Sequence, residues 1–480
     1  VIRGELVEDQ FVAEAGPQGI EQRGIDFVPD AERWARPRDL FWMWAGAIFN
    51  VEYVVYGAIA MTFGLTFYQA LAIILIGNLS FFLLGLTSLQ GPEAGTTTFT
   101  INRAPFGPNG SRLLSLFNWL TQVGFETEGL ALIVLAAIAL AEKGGINPST
   151  GLKVGFILVA GLLQLLLPFF GHGMIVKTLR VLAIPFLLLF VLMAGVTIAK
   201  VNLHSVAHGA NWQTMFAVLA FVISGSGLGW TENGNDFSRY LPKSASKKGI
   251  VGWVFLGTAV PSVLLMTLGA AIFTFVPSAS NPISGLPHAF PAYFLVPYLI
   301  VAIIQLFAIN SLDLYSSGVT LQALGLPISR LQAVVLDTVI CTLLTAYAIF
   351  SNGFDTLLSD FILFIIVWVA PWTAIYLVDW LLRKMHYDPH ALHQDRGGIY
   401  WSNGGIRWPA IIAQLLGMAA ALSAINTSVF MGPITRATGG ADFSVFAGIA
   451  VAGVVYWIFG HRSVKESMEI APFPESLEAG

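Results

Sequence analysis

Apolar residues in this chain fall in long unbroken runs, without the alternation of a strand or the stripe of a soluble amphipathic helix. Residues 181–199 carry no charge at all, and runs of similar length recur to the end of the chain. Roughly 18 or more consecutive apolar residues suffice for a helix to cross a bilayer. The pattern predicts twelve membrane-spanning segments, over 40–64, 66–89, 113–141, 154–171, 173–199, 212–235, 249–276, 292–322, 328–350, 355–382, 409–430 and 443–460. Prolines 185, 261 and 371 fall inside spans, where a kink is expected.

Composition agrees. Hydrophobic residues make up 56% of the chain and charged residues 11%, with mean hydropathy +0.73; soluble domains average about 25% charged. Net charge is −4, with no basic block of the kind that binds nucleic acid. The first 39 residues contain no apolar core, so no cleavable signal peptide is expected, and their mixed charge suits a solvated segment. The lone cysteine, Cys341, lies in an apolar run and forms no intrachain disulfide. If the N-terminal tail is cytoplasmic, 20 of the 24 Lys and Arg residues fall on that side, leaving Lys143, Lys153, Lys200 and Arg436 opposite. Cytoplasmic loops carry such an excess, so both termini are expected in the cytoplasm and the chain in the plasma membrane.

Two spans contain residues that interrupt a membrane helix. Segment 6 begins as MFAVLAFVI and continues SGSGLGWTENGNDFSRYLP, with Gly225, Gly227 and Gly229 before Trp230. Segment 1 carries Gly46, Asn50 and Glu52 near its middle. Irregular backbone at membrane depth is tolerated only where it is buried or lines a cavity. Matched interruptions in two halves point to a transporter's binding site. The pair lies five helices apart in the order, the spacing of a five-plus-five inverted repeat followed by two further helices. The repeats span 40–199 and 212–382, the extra helices 409–460, and the tails 1–39 and 461–480.

Trp230 offers an aromatic face beside the break, where stacking on a nucleobase is worth about 1–3 kcal/mol. Segment 3 contains GFETEG, with Glu126 and Glu128 about 200° apart on a helix. One should face the site and the other a neighbouring helix; spacing leaves open which. Segment 8 places Asn310, Asp313 and Ser317 on one stripe. Asp236 and Arg239, three apart at the end of segment 6, read as a structural or gating pair. The histidines show no metal-ligand spacing, and neither a nucleophile–base arrangement nor a phosphate loop is present. An enzyme, a metal site and a cofactor are therefore not expected.

These features resemble the nucleobase:cation symporters of the purine–cytosine permease type. GPEAGTTTFTINRAPFG (91–107), GWTENGNDFSRYLP (229–242), LYSSGVTLQALGL (314–326) and WVAPWTAIYLVDWLLRK (368–384) carry the likeness along the chain. The resemblance implies a LeuT-type, twelve-helix fold, alternating access, and a base sandwiched between aromatics of helices 3 and 6. Those positions are Phe125 and Trp230, with Gly229 beside the latter. It implies further polar contacts from Asn50 on helix 1 and from Asn310 and Asp313 on helix 8. The family's helix-3 amide position falls on Gly129, so Glu128 or Glu126 would have to supply that contact.

The sodium site of this fold uses helix-8 hydroxyls, expected near Ile303 and Ile304, yet no Ser or Thr lies between Tyr298 and Asn310. Intramembrane carboxyls are costly and functional, and Glu52, Glu126, Glu128 and Asp313 are available to carry a proton. The expectation is a monomeric, proton-coupled importer of cytosine or purines. Sodium coupling, or a substrate such as allantoin, hydantoin, uracil or a vitamin, is the alternative.

Overall fold

The computed structural model describes residues 23–204, 209–351, 354–427 and 430–470. Among these the regular secondary structure is helical, apart from one isolated bridge between Asn426 and Met431. Without water in the hydrocarbon, a helix is the simplest way for one segment to satisfy its own amides. The helices are α1 (Pro37–Ile48), α2 (Val51–Thr62), α3 (Phe67–Ala94), α4 (Pro108–Lys143), α5 (Thr150–Phe170), α6 (His172–Ile198) and α7 (Trp212–Ser224). After a 3-10 stretch at Leu228–Asn233 come α8 (Gly234–Ser238), α9 (Lys247–Phe273), α10 (Leu295–Ala323), α11 (Arg330–Ser351), α12 (Phe354–Leu382), α13 (Trp408–Ser423) and α14 (Ser444–Ile470).

Ten spans among the described residues are long and apolar enough to cross a membrane, the bent pair α1–α2 makes an eleventh, and the shorter apolar α13 accounts for the twelfth predicted segment. The ends differ from the sequence pattern mainly where helix outlasts apolarity. Helix α4 starts at Pro108, and α14 continues to Ile470, into the predicted C-terminal tail.

The most extensive interface joins α4 to α10, and α1 and α2 both lie along α9. Helices α12, α13 and α14 pack together, and α12 also packs against the 3-10 stretch of segment 6. Leu162, Val181 and Leu192 are each more than 60% exposed, as expected of side chains that meet lipid.

The two interruptions take different forms. Segment 1 is cut in two: Phe49 and Asn50 leave helical geometry and the axes of α1 and α2 diverge by 60°. Asn50 Oδ1 caps α2 by accepting from the Glu52 amide at 2.6 Å. Segment 6 instead stays one span, Trp212–Ser238, whose winding tightens to 3-10 after Gly225. Glycine allows this at Gly227, where a Cβ would overlap the Phe81 backbone and the amide donates to Ser80 Oγ at 3.1 Å. The expected unpaired amides are thus partly re-engaged.

Residues 1–22 of the predicted solvated tail lie outside the described residues. Residues 23–36 do not follow that expectation, because specific polar contacts hold them to the helices. The Val28 amide donates to Gly95 O at 2.8 Å and the Ala35 amide to Tyr240 O at 3.1 Å. Arg33, 7% exposed, donates to Val28 O at 2.9 Å and to Pro92 O.

Candidate functional site

The bend between α1 and α2, the tightened stretch of segment 6, and the facing sides of α4 and α10 enclose one cavity. Trp230, Phe125 and Gly229 line it together with Glu128, Asn310 and Asp313, all named from the sequence as substrate contacts. Glu52, named as a proton carrier, lines it too.

The aromatic walls are held by specific contacts. The Trp230 indole N–H donates to the Tyr53 hydroxyl at 3.0 Å, and its ring meets Trp44 edge-on at 5.5 Å between centroids. Phe125 meets Phe361 edge-on at 5.4 Å. Tyr53 and Tyr56 complete the aromatic lining from α2. Sequence reasoning passed over both, although Glu52, Tyr53 and Tyr56 directly follow the interruption in segment 1.

On α4 the 200° separation is realised. Glu128 faces the cavity, whereas Glu126 is fully buried towards α11, where its Oε2 accepts from the Cys341 thiol at 3.0 Å. Among the described residues the carboxyl groups of Glu128 and Asp313 accept no hydrogen bond from the protein, so both are available to whatever fills the cavity. Asn50 is placed differently from the expectation: it does not line the cavity, and its side chain is engaged at the α2 cap and by Glu52 Oε2, 3.3 Å from its Nδ2.

The vacancy at Gly129 has an occupant. A Cβ there would overlap Asn310 Oδ1, so the missing side chain makes room for the α10 amide. Asn310 Nδ2 in turn donates to Glu126 O at 3.1 Å. An amide still stands at this corner of the site, delivered by the opposite helix.

Ile304 is 41% exposed and faces outward, while Ala302, Gln305 and Leu306 are the buried neighbours on α10. None of these carries a hydroxyl. Beyond Trp230, Glu232 is fully buried, with Oε1 unpartnered among the described residues; it was not singled out from sequence.

The four sequence stretches that carry the family likeness meet at one end of the molecule. Asp236 Oδ1 accepts from the Thr98 amide at 2.9 Å, and Asn235 donates to the Tyr376 hydroxyl at 2.9 Å. Trp372 donates to Asn102 Oδ1 at 3.1 Å, and Arg239 donates to the Tyr315 hydroxyl at 2.7 Å and to Gly24 O. Asp236 and Arg239 therefore tie helix 6 to other segments, beyond any local pairing.

Comparison with known proteins agrees with this architecture. Mhp1, a nucleobase-cation-symport-1 family transporter, in a closed conformation with bromovinylhydantoin bound, superposes with TM-score 0.78 at 18% identity, over 95% of this chain and 98% of that one. Its inward-facing conformation gives 0.72. The fold is therefore that of the LeuT-type transporters. YxlA of Bacillus subtilis (strain 168), assigned by name to the purine-cytosine permeases, is 30% identical over 93% of this chain and 97% of its own length. The purine-cytosine permease fcyB of Emericella nidulans is 26% identical over 92% and 88% respectively. The cytosine permease of Escherichia coli (strain K12) is 26% identical over 74% and 79%. These relatives are permeases, so the chain is a multi-pass membrane transporter and not an enzyme. Residues 27–448 match the family described as permease for cytosine/purines, uracil, thiamine, allantoin, and the chain belongs to that family.

Proposed function

We propose that this permease imports a nucleobase bearing an exocyclic amino group, cytosine or an aminopurine, together with protons. It does so by alternating access across the plasma membrane, as a monomer with both termini in the cytoplasm. The observation that carries the reading is the pairing of an aromatic wall with free carboxyl groups in one cavity. Trp230 and Phe125 can hold a flat ring, while Glu128 and Asp313 face it without protein partners.

A carboxylate accepts and does not donate, so it favours the N–H groups of an amino-bearing ring over a carbonyl edge. Each hydrogen bond to a charged group is worth about 1.5–3 kcal/mol. Three carboxyl groups at one cavity (Glu52, Glu128 and Asp313) also supply groups able to bind a proton with the substrate. The buried face of α10 above the site lacks the hydroxyls that a sodium ion would need, which favours the proton.

The test is uptake of labelled cytosine, adenine and guanine against uracil, hypoxanthine and allantoin in a transport-deficient host. Saturable uptake of an amino-bearing base, collapsed by a protonophore and indifferent to Na+ replacement, is expected. Preference for the oxo rings would overturn the substrate assignment, and uptake that needs Na+ and ignores the protonophore would overturn the coupling.

A further inference from the structure

A second group of polar side chains lies outside the cavity, between α4, α10 and α11. Asp337 on α11 accepts from Ser317 Oγ at 2.6 Å through Oδ2 and from the Trp119 indole N–H at 2.5 Å through Oδ1. One turn further along α11, Cys341 donates its thiol to Glu126 Oε2 at 3.0 Å. Glu126 and Asp337 are both fully buried, and neither lines the cavity. We propose that Glu126 and Asp337 form a second proton-binding site, distinct from the substrate cavity, whose occupancy is coupled to transport.

The first argument is charge. Among the described residues every donor to these two carboxyl groups is a neutral thiol, hydroxyl or indole. Among the described residues neither forms an ion pair. Arg330 lies seven residues before Asp337, about 10 Å along the helix axis, and donates to Pro168 O at 2.6 Å and Phe169 O at 3.1 Å. Among the described residues, the other packed elements bring Gln164 of α5 to Asn310 and Phe361 of α12 to Phe125, both neutral, while the acids Glu128 and Asp313 stand on the cavity side. Two uncompensated carboxylates at membrane depth are costly, and neighbouring carboxyl groups relieve the cost by sharing a proton.

The second argument is hydrogen-bond accounting. Both oxygens of Asp337 accept, the pattern of an ionised carboxylate. Glu126 accepts only at Oε2, and its Oε1 is buried without a partner. That oxygen is the place for the proton. Among the described residues no three His, Cys, Asp or Glu side chains are placed to hold a metal ion there.

The pair also connects to the cavity. Asn310, which lines it, donates to the Glu126 carbonyl at 3.1 Å, and Ser317 stands one turn from Asp313 on α10. Loss or gain of the proton would therefore be felt where α4 meets α10.

This inference rests on the proton-coupled reading above, and one experiment separates the two. The full-length chain is reconstituted in vesicles containing a pH-sensitive dye and offered cytosine, adenine or guanine, whichever the wild type takes up fastest. Substrate-driven acidification is read beside the pH profile of substrate exchange. In Asp337→Asn, acidification per substrate should fall at least tenfold and the pH profile should flatten, while exchange persists and reports a folded protein. Asp337→Glu should recover acidification. If Asp337→Asn does not reach the membrane, Glu126→Gln carries the same measurement. Wild-type acidification and pH dependence in either variant would overturn the second site while leaving proton coupling intact. A wild type that moves no protons would overturn both.

Discussion

The indole N–H of Trp230 donates to the hydroxyl of Tyr53 at 3.0 Å, so the aromatic wall on segment 6 is aimed from the far side of the bend in segment 1. Removing the acceptor in Tyr53→Phe leaves the ring in place but loosens its orientation. A net hydrogen bond of about 0.5–1.5 kcal/mol corresponds to a rise of roughly two- to tenfold in KM for uptake. Trp230→Ala removes the stacking face itself, about 1–3 kcal/mol per base, and should weaken binding roughly 5- to 150-fold without loss of membrane protein. Equal effects from the two variants would show that the hydroxyl does more than aim the ring.

Gly129 and Asn310 occupy the space of a single side chain. Gly129→Ala should displace the Asn310 amide, break its bond to the Glu126 carbonyl and reduce substrate affinity tenfold or more. Shortening the obstructing side chain in Gly129→Ala/Asn310→Ser should recover part of that loss, a non-additivity expected of residues in contact. A double-mutant cycle on KM measures it; strict additivity would refute the shared volume.

Glu128 and Asp313 set the preference for amino-bearing rings in the proposed site. Glu128→Gln and Asp313→Asn each replace an acceptor-only group by an amide that also donates. Competition of labelled cytosine by uracil should improve by about tenfold in at least one variant, the equivalent of 1.4 kcal/mol. Unchanged competition in both would remove the carboxyl groups from recognition.

Arg33 places a buried guanidinium between Val28 O and Pro92 O, so its loss leaves two carbonyls without their charged donor. Hydrogen bonds to charged groups contribute about 1.5–3 kcal/mol each. Arg33→Ala should lower the melting temperature of the purified protein by several degrees in a thermal-shift assay. No change would mean that the Arg33 side chain does not help hold residues 23–36 to the helices.

The span pattern was legible because membrane helices announce themselves by length and apolarity, and every predicted segment has its helix. The two interruptions could be located from Gly225, Gly227, Gly229 and Asn50, but their geometry could not. A glycine run permits both an unwound strand and a 3-10 turn, and the close approach of the Phe81 backbone to Gly227 decides between them. Glu126 and Glu128 could be separated by helical spacing, yet only the neighbouring α11 shows which one turns inward. Asn50 was plausible as a contact on polarity alone, and the same polarity serves equally well to cap α2. Asp337 escaped notice because a lone aspartate in an apolar run says nothing until Ser317 and Trp119 are brought to it by the fold.

Cys341 is the sole cysteine of the chain, fully buried and engaged with Glu126. A buried thiol of this kind is chemically quiet. Reporter cysteines introduced on exposed positions, one on α1 and one on α4, would then be the only groups open to maleimide labels. Distances between such labels could follow the transport cycle in a protein that keeps its native thiol, and with it the acid pair beside α4.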